Sequence, residues 1–213
     1  MIVTVLSLGA CKQPATVGKQ VAGKLPFYNT ADFTPQWIEP SSAGYKEIHT
    51  IPSFQFINQD GDKVSDKTVA GKIYVANFFF TSCPGICKRL TGNLTLVQTA
   101  FKNDAQVLLL SHSVTPETDS VARLRQYARN YGVISHKWHL LTGSREQIYQ
   151  IARESYFADE DMGEVRRGPN DFLHTENVLL IDKHKRIRGV YKGTSVRDIN
   201  DLIADIKILE QED

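Results

Sequence analysis

Two cysteines four residues apart, Cys83 and Cys87 in "TSCPGICKRL", are the side chains of this sequence best suited to chemistry. The residues before them read as the end of a buried strand and those after them as a helix, which places the pair at a strand-to-helix junction. A cysteine at such a junction lies beside backbone N–H groups that have no intrahelical partner and beside the positive end of the helix dipole. Both stabilise a thiolate, so Cys83 is expected to be the more acidic thiol. Pro84 suits the first helical position, where its missing N–H is no loss, and Cys87, one turn on, shares a face with Cys83. The two sulfurs can then converge. Two thiolates across a full turn leave room for a soft metal ion, whereas a disulfide needs its Cβ atoms ~3.5–4.5 Å apart and a distorted first turn. The spacing favours a metal clamp and leaves two alternatives open, a disulfide and a pair of buried small hydrophobes.

A clamp of this kind gains from a third ligand, and the chain has six histidines. His174, in "DFLHTENVLLID", closes an irregular charged stretch immediately before a predicted central strand, on the sheet edge where ligands of α/β folds bind. It is the candidate third ligand. His112, in "LSHSVTP", follows a strand that also ends near this edge and is the second candidate. His49, His136, His139 and His184 read as ordinary hydrogen-bonded histidines.

The elements that must position these residues alternate. "SFQFIN" and "KVSDKTV" flank Asp60-Gly61-Asp62 as a hairpin, and "KIYVANFFF" is apolar throughout, as a central strand buried on both faces should be. "KRLTGNLTLVQTAF" carries Leu90, Leu94, Val97 and Phe101 at helical spacing. "QVLLLSHSV" is a strand, "DSVARLRQYARNYG" a helix closed by Gly132, and "WHLLTG" leads through Ser144 as N-cap into "REQIYQIARESY". "TENVLLID" and "RIRGVYKG" read as strands joined at "KHK", and "VRDINDLIADIKILEQ" as an amphipathic closing helix. This order describes an α/β three-layer sandwich around a central mixed sheet, with "FYNTADFTPQW" as an N-terminal extension packed on it. The sequence shows neither an internal repeat nor a Gly-rich phosphate loop.

Composition narrows the function classes. With 213 residues, 41% hydrophobic and 23% charged, the chain can bury one sizeable core. A formal net charge of +1, without a basic run interleaved with aromatics, argues against a nucleic-acid partner. The acidic run Asp159, Glu160, Asp161 reads as a solvated loop, and the Asn93-Leu94-Thr95 sequon falls on a predicted helix.

The first ten residues are apolar but fall short of the ~20 that a membrane-spanning helix needs. They read as the hydrophobic part of a signal peptide, and "LGAC" resembles a bacterial lipobox with Cys11 as the lipidated residue. The expected organisation is a lipoprotein-type signal over 1–10, a polar tether over 11–24 and one domain over 25–213, exported and membrane-anchored by lipid, facing the periplasm or cell exterior. In that oxidising compartment only Cys83 and Cys87 remain for chemistry.

Together, "FFFTSCPGICKRL", "LLSHSVTPETDSVARLRQYARNYG", "WHLLTGSREQIYQIAR" and "DFLHTENVLLIDKHKRIRGVYKG" resemble the Sco (SenC) family over roughly residues 49 to 209. The resemblance implies a thioredoxin-like fold, copper held as Cu(I) or Cu(II) by Cys83, Cys87 and His174, and a metallochaperone role in assembling the copper centre of cytochrome c oxidase. The implied partner is a copper-accepting oxidase subunit or another cuproprotein, with a monomer as the default state. Thr115 stands where the family's Ser-Val-Asp-Pro-Glu phrase has its acid, and Lys88 stands where a proline usually follows the second cysteine. The alternative is an exported thiol:disulfide oxidoreductase in which Cys83 attacks and Cys87 resolves. A third class is a metal-free binding module at the membrane surface.

Overall fold

The structure is a computed structural model, and it describes residues 23–158 and 176–212. Cys11, His174 and the acidic run at 159–161 lie outside the described residues, as does most of the expected signal and tether. The described residues open with a short antiparallel pair, β1 (Phe27–Tyr28) and β2 (Pro35–Gln36), then a 3-10 turn (Ala43–Glu47) and a hairpin of β3 (Gln55–Ile57) and β4 (Lys63–Ser65). There follow β5 (Ile73–Phe79), α1 (Ile86–Ala100), β6 (Val107–Ser113), α2 (Val121–Tyr131), β7 (Trp138–Leu141) and α3 (Arg145–Glu154). The fold closes with β8 (Asn177–Ile181), β9 (Ile187–Lys192) and α4 (Val196–Gln211).

The main sheet has the order β7-β6-β5-β8-β9. β5, β6 and β7 run parallel, and β8 and β9 are antiparallel additions, so the sheet is mixed as the sequence predicts. All seven residues of β5 are buried, the outcome its continuous apolar run requires. Strand alternation then divides the core in two. Ile73, Val75 and Phe79 face the cluster built with α1, α2 and α4, while Tyr74, Ala76 and Phe78 face the one built with α3 and the β3–β4 hairpin. This is the thioredoxin-like α/β arrangement in three layers.

Local chemistry explains the element ends. Ser120 and Ser144 cap α2 and α3 by accepting from the N–H of Arg123 and Gln147, and Gly132 ends α2 in the left-handed conformation (φ 63°). The hairpin turn is organised by buried Asn58, whose Oδ1 accepts from the N–H of Asp60 at 2.9 Å and of Asp62 at 2.8 Å. The N-terminal extension does pack on the domain, and it also contains regular structure of its own in β1 and β2. Arg188, buried in β9, fixes it by donating to the carbonyls of Pro26 (3.0 Å) and Leu25 (2.7 Å) while pairing with Asp182 and Glu212.

Candidate metal centre

The cysteines sit where β5 gives way to α1. The chain leaves the strand through a turn in which the Cys83 N–H donates to the Phe80 carbonyl at 3.3 Å. Helical geometry begins at Ile86, with Gly85 as N-cap in a non-helical conformation (φ −121°, ψ −105°). Pro84 therefore lies ahead of the helix instead of opening it, because the segment 83–85 is still turning away from the strand. No side chain caps α1. Among the first N–H groups this leaves over, that of Cys87 is directed at the Cys83 sulfur.

Both cysteines are free thiols and both are buried, Cys83 4% and Cys87 3% exposed, while Pro84, Gly85, Ile86, Lys88 and Arg89 around them are exposed. The two side chains share one buried cluster and lie close enough for each to shift the acidity of the other. Their acidities diverge. Burial pushes the Cys83 thiol up, but the Cys87 N–H, the Cys87 thiol, the Gly85 N–H and the charge of Lys88 together outweigh it and hold Cys83 below the ordinary cysteine value. Burial pushes Cys87 up to about 12, against the opposing N–H of Phe80 and with the neighbouring Cys83 adding to the rise. The junction thus builds one activated thiol and one thiol that donates to it.

Phe79, Leu90, Leu94, Tyr127 and Val178 belong to the same apolar cluster as the two sulfurs. Tyr127 was not visible as a site residue in the sequence, where it reads as an apolar position of α2. Its hydroxyl shares a 2.9 Å hydrogen bond with Thr91 of α1, and burial first, with the Cys87 charge among the lesser causes, raises its phenol. A dry, aromatic wall of this kind keeps water from a bound soft metal.

His112 is not part of this site. The alternation of β6 sends its side chain to the face of the sheet opposite the cysteines, where it is fully buried among Phe54, Phe56, Phe78 and Tyr156. Neither ring nitrogen has a hydrogen-bond partner among the described residues, and burial pushes the imidazole down to about 4. A strand that ends near a site offers only every second residue to it, and His112 has the wrong parity. His49 bonds the Ser155 carbonyl and His139 contacts Asn58, while His136 and His184 are exposed, in keeping with their ordinary reading. Among the described residues no group of three His, Cys, Asp or Glu side chains is placed to hold a metal ion, and His174 lies outside those residues. Asn93 is committed to the fold, donating to the Gly193 carbonyl at 2.9 Å.

A mixed sheet of this order with a dithiol at the first strand-to-helix junction defines a thioredoxin-like protein of the two-cysteine type. The SCO1/SenC family model matches residues 43–210, and the chain belongs to that family. Among solved structures, a SCO1/SenC family lipoprotein from Bacillus anthracis str. Ames is 30% identical with a TM-score of 0.67, covering 76% of this chain and 95% of its own. BsSco, described as having a disulfide switch and as a member of the Sco family of cytochrome c oxidase assembly proteins, is 28% identical with a TM-score of 0.64, over 78% of this chain and 96% of that one. ScoI of Bradyrhizobium japonicum, solved with copper bound, is 25% identical with a TM-score of 0.60, over 75% and 99%.

Proposed function

We propose that this protein binds copper through the thiolates of Cys83 and Cys87, with His174 as third ligand, and delivers it to the copper centre of cytochrome c oxidase or another cuproprotein. The observation that carries the reading is the burial of two neighbouring, mutually perturbed thiols at the β5–α1 junction of a SCO1/SenC chain. Cu(I) favours soft thiolates and low coordination, so two sulfurs suffice for it, and Cu(II) gains from an imidazole. The copper-bound ScoI relative supports this choice of cargo. As cargo, the ion leaves by exchange of one protein ligand for an incoming ligand of the acceptor, and the exposed Pro84-Gly85-Ile86 lip gives the acceptor access. Export and lipidation at Cys11 are part of the same reading, supported by the lipoprotein relative. Among the described residues no helix is long and apolar enough to cross a membrane.

One observation favours a second reading. The lowered pKa of Cys83 beside the raised pKa of Cys87 is what a nucleophilic thiol and its resolving partner need, and a relative is described as having a disulfide switch. In a thiol:disulfide reductase the Cys83 thiolate attacks an acceptor disulfide, one acceptor sulfur leaves as a thiolate, and Cys87 then displaces the second to leave the Cys83–Cys87 disulfide. Anaerobic Cu(I) titration, followed by a separate Cu(II) titration, of wild type, Cys83→Ser, Cys87→Ser and His174→Ala separates the two. One-to-one binding that needs both cysteines, with a Cu(II) thiolate absorption lost in His174→Ala, supports delivery. Disulfide exchange through Cys83 without specific copper binding overturns it in favour of the reductase.

A further inference from the structure

The loop that presents Cys83 is held from below by one buried carboxylate. Asp119, at the entrance to α2, is 0% exposed and accepts four hydrogen bonds. Its Oδ2 takes the Thr81 N–H at 3.1 Å, the Ser113 hydroxyl at 2.6 Å and the Thr115 hydroxyl at 3.1 Å, and its Oδ1 takes the Thr81 hydroxyl at 2.5 Å. The Thr81 hydroxyl in turn accepts from Arg123 Nε at 2.6 Å, and that nitrogen lies 3.6 Å from Oδ1. The backbone of Asp119 is itself tied, its N–H donating to the Thr115 carbonyl at 2.9 Å.

These contacts converge on one point of the site. Thr81 follows Phe80, whose N–H serves the Cys87 sulfur and whose carbonyl accepts from the Cys83 N–H. Two hydrogen bonds between a single carboxylate and Thr81 therefore fix the Phe80–Thr81 peptide, whose carbonyl receives the Cys83 N–H, and they do so from the ends of β6 and α2. Thr115 takes part because it donates to the carboxylate, where an aspartate at 115 would face it with like charge.

We infer that Asp119 is a positioning residue of the Cys83–Cys87 site: by clamping Thr81 it holds the two sulfurs at metal-binding separation before any metal arrives. The inference rests on the reading of that pair as the copper site. Its energetic basis is preorganisation, since a loop already fixed loses little conformational freedom when the ion binds, and a loop released from its anchor must be ordered at that moment.

The test uses the full chain, Cu(I) as the probe, and the variants Asp119→Asn, Thr81→Ala and their combination, with Ile148→Ala as a destabilised control in the core on the far face of the sheet. Asparagine keeps the shape of the side chain but replaces one acceptor oxygen by a donor, so Thr81 cannot keep both bonds. Asp119→Asn is expected to weaken Cu(I) binding by about tenfold or more. Thr81→Ala is expected to weaken it less, and the double variant no further than Asp119→Asn alone, because the two act as one unit. The Cu(II) thiolate absorption should move in these variants and stay fixed in Ile148→Ala, which lowers only the melting temperature. Unchanged affinity and absorption in Asp119→Asn, or equal changes in Ile148→Ala, would overturn the inference. The equilibrium between dithiol and disulfide in glutathione buffers is measured in parallel. If wild type takes up no copper, the functional reading fails by itself, and this equilibrium decides the role of Asp119. A shift of about fivefold or more in Asp119→Asn, absent from Ile148→Ala, would sustain it, and no shift would end it. Should Asp119→Asn fail to fold, Thr81→Ala carries the same comparison.

Discussion

Cys83, just ahead of α1, and Cys87, in its first turn, bury their thiols in one cluster, and the fold drives the two in opposite directions, Cys83 towards the thiolate and Cys87 up to about 12. Both are almost equally inaccessible, so a difference in their reactivity reports thiolate content and not exposure. Apo protein treated briefly with iodoacetamide at pH 7 is expected to carry label on Cys83 ahead of Cys87 by about an order of magnitude or more. Peptide mass spectrometry reads the ratio. Equal labelling would contradict the asymmetry.

If Cys83 and Cys87 are the two thiolate ligands, replacing either with serine removes a soft donor that no described neighbour can supply. Cys83→Ser and Cys87→Ser should each abolish stoichiometric Cu(I) binding in competition with a chromophoric chelator. Either variant binding one equivalent with wild-type affinity would sink the clamp. The melting temperature of Cys87→Ser should fall more than that of Cys83→Ser, because its hydroxyl lands in the apolar cluster beside Leu90.

His112 makes a pH prediction whose sign follows from linkage. Its imidazole titrates at about 4 in the fold and near 6.5 when unfolded, so between these values the unfolded chain binds a proton that the folded one refuses. The contribution of neutral His112 is fully present above pH 6.5 and is lost as the pH falls towards 4, amounting to about 3 kcal/mol across the window. His112→Phe places an apolar ring among Phe54, Phe56, Phe78 and Tyr156. Urea unfolding at pH 7 and pH 4.5 should show a smaller loss for His112→Phe than for wild type. Parallel losses would mean that the ring is solvated.

Gly193 is the point at which the β9–α4 turn meets α1. A Cβ there would come within 2.7 Å of Val178 Cγ2 and 2.8 Å of Leu90 Cγ, both in the cluster that surrounds the sulfurs. Neither neighbour is the loose end of an exposed chain, and the Gly193 carbonyl is also held by Asn93. Gly193→Ala should destabilise the protein by about 1–3 kcal/mol through overpacking, a loss readable by urea unfolding. A neutral outcome would show that α1 can shift away from the turn.

Arg188 ties β9 to the N-terminal segment and shares Asp182 with Arg186. Arg188→Met keeps much of the volume but leaves the half-buried carbonyls of Leu25 and Pro26 and part of the charge of Asp182 without this partner. A cost of about 3–5 kcal/mol follows, with faster proteolysis before Phe27 as its local sign. Unchanged cleavage in that segment would show that Phe27 and its aromatic contacts hold it unaided.

The sequence by itself determined the elements of the main sheet and their helices, in order, because these are written in local terms: an unbroken apolar run for β5, helical periodicity for α1 and α4, Ser120, Ser144 and Gly132 at helix ends. It also determined the dithiol, since the C-x-x-x-C spacing at a strand-to-helix junction keeps two thiols close in the chain, although Cys83 lies ahead of the helix and not on its first turn. The tertiary structure decided which other residues serve that pair. The parity of β6 removed His112 to the far face, and only the packing of α2 against the β5–α1 turn brought Asp119 and Tyr127 near cysteines more than thirty residues earlier in the chain. Such relations depend on how strands pair and helices pack across long stretches of sequence, and no local pattern encodes them.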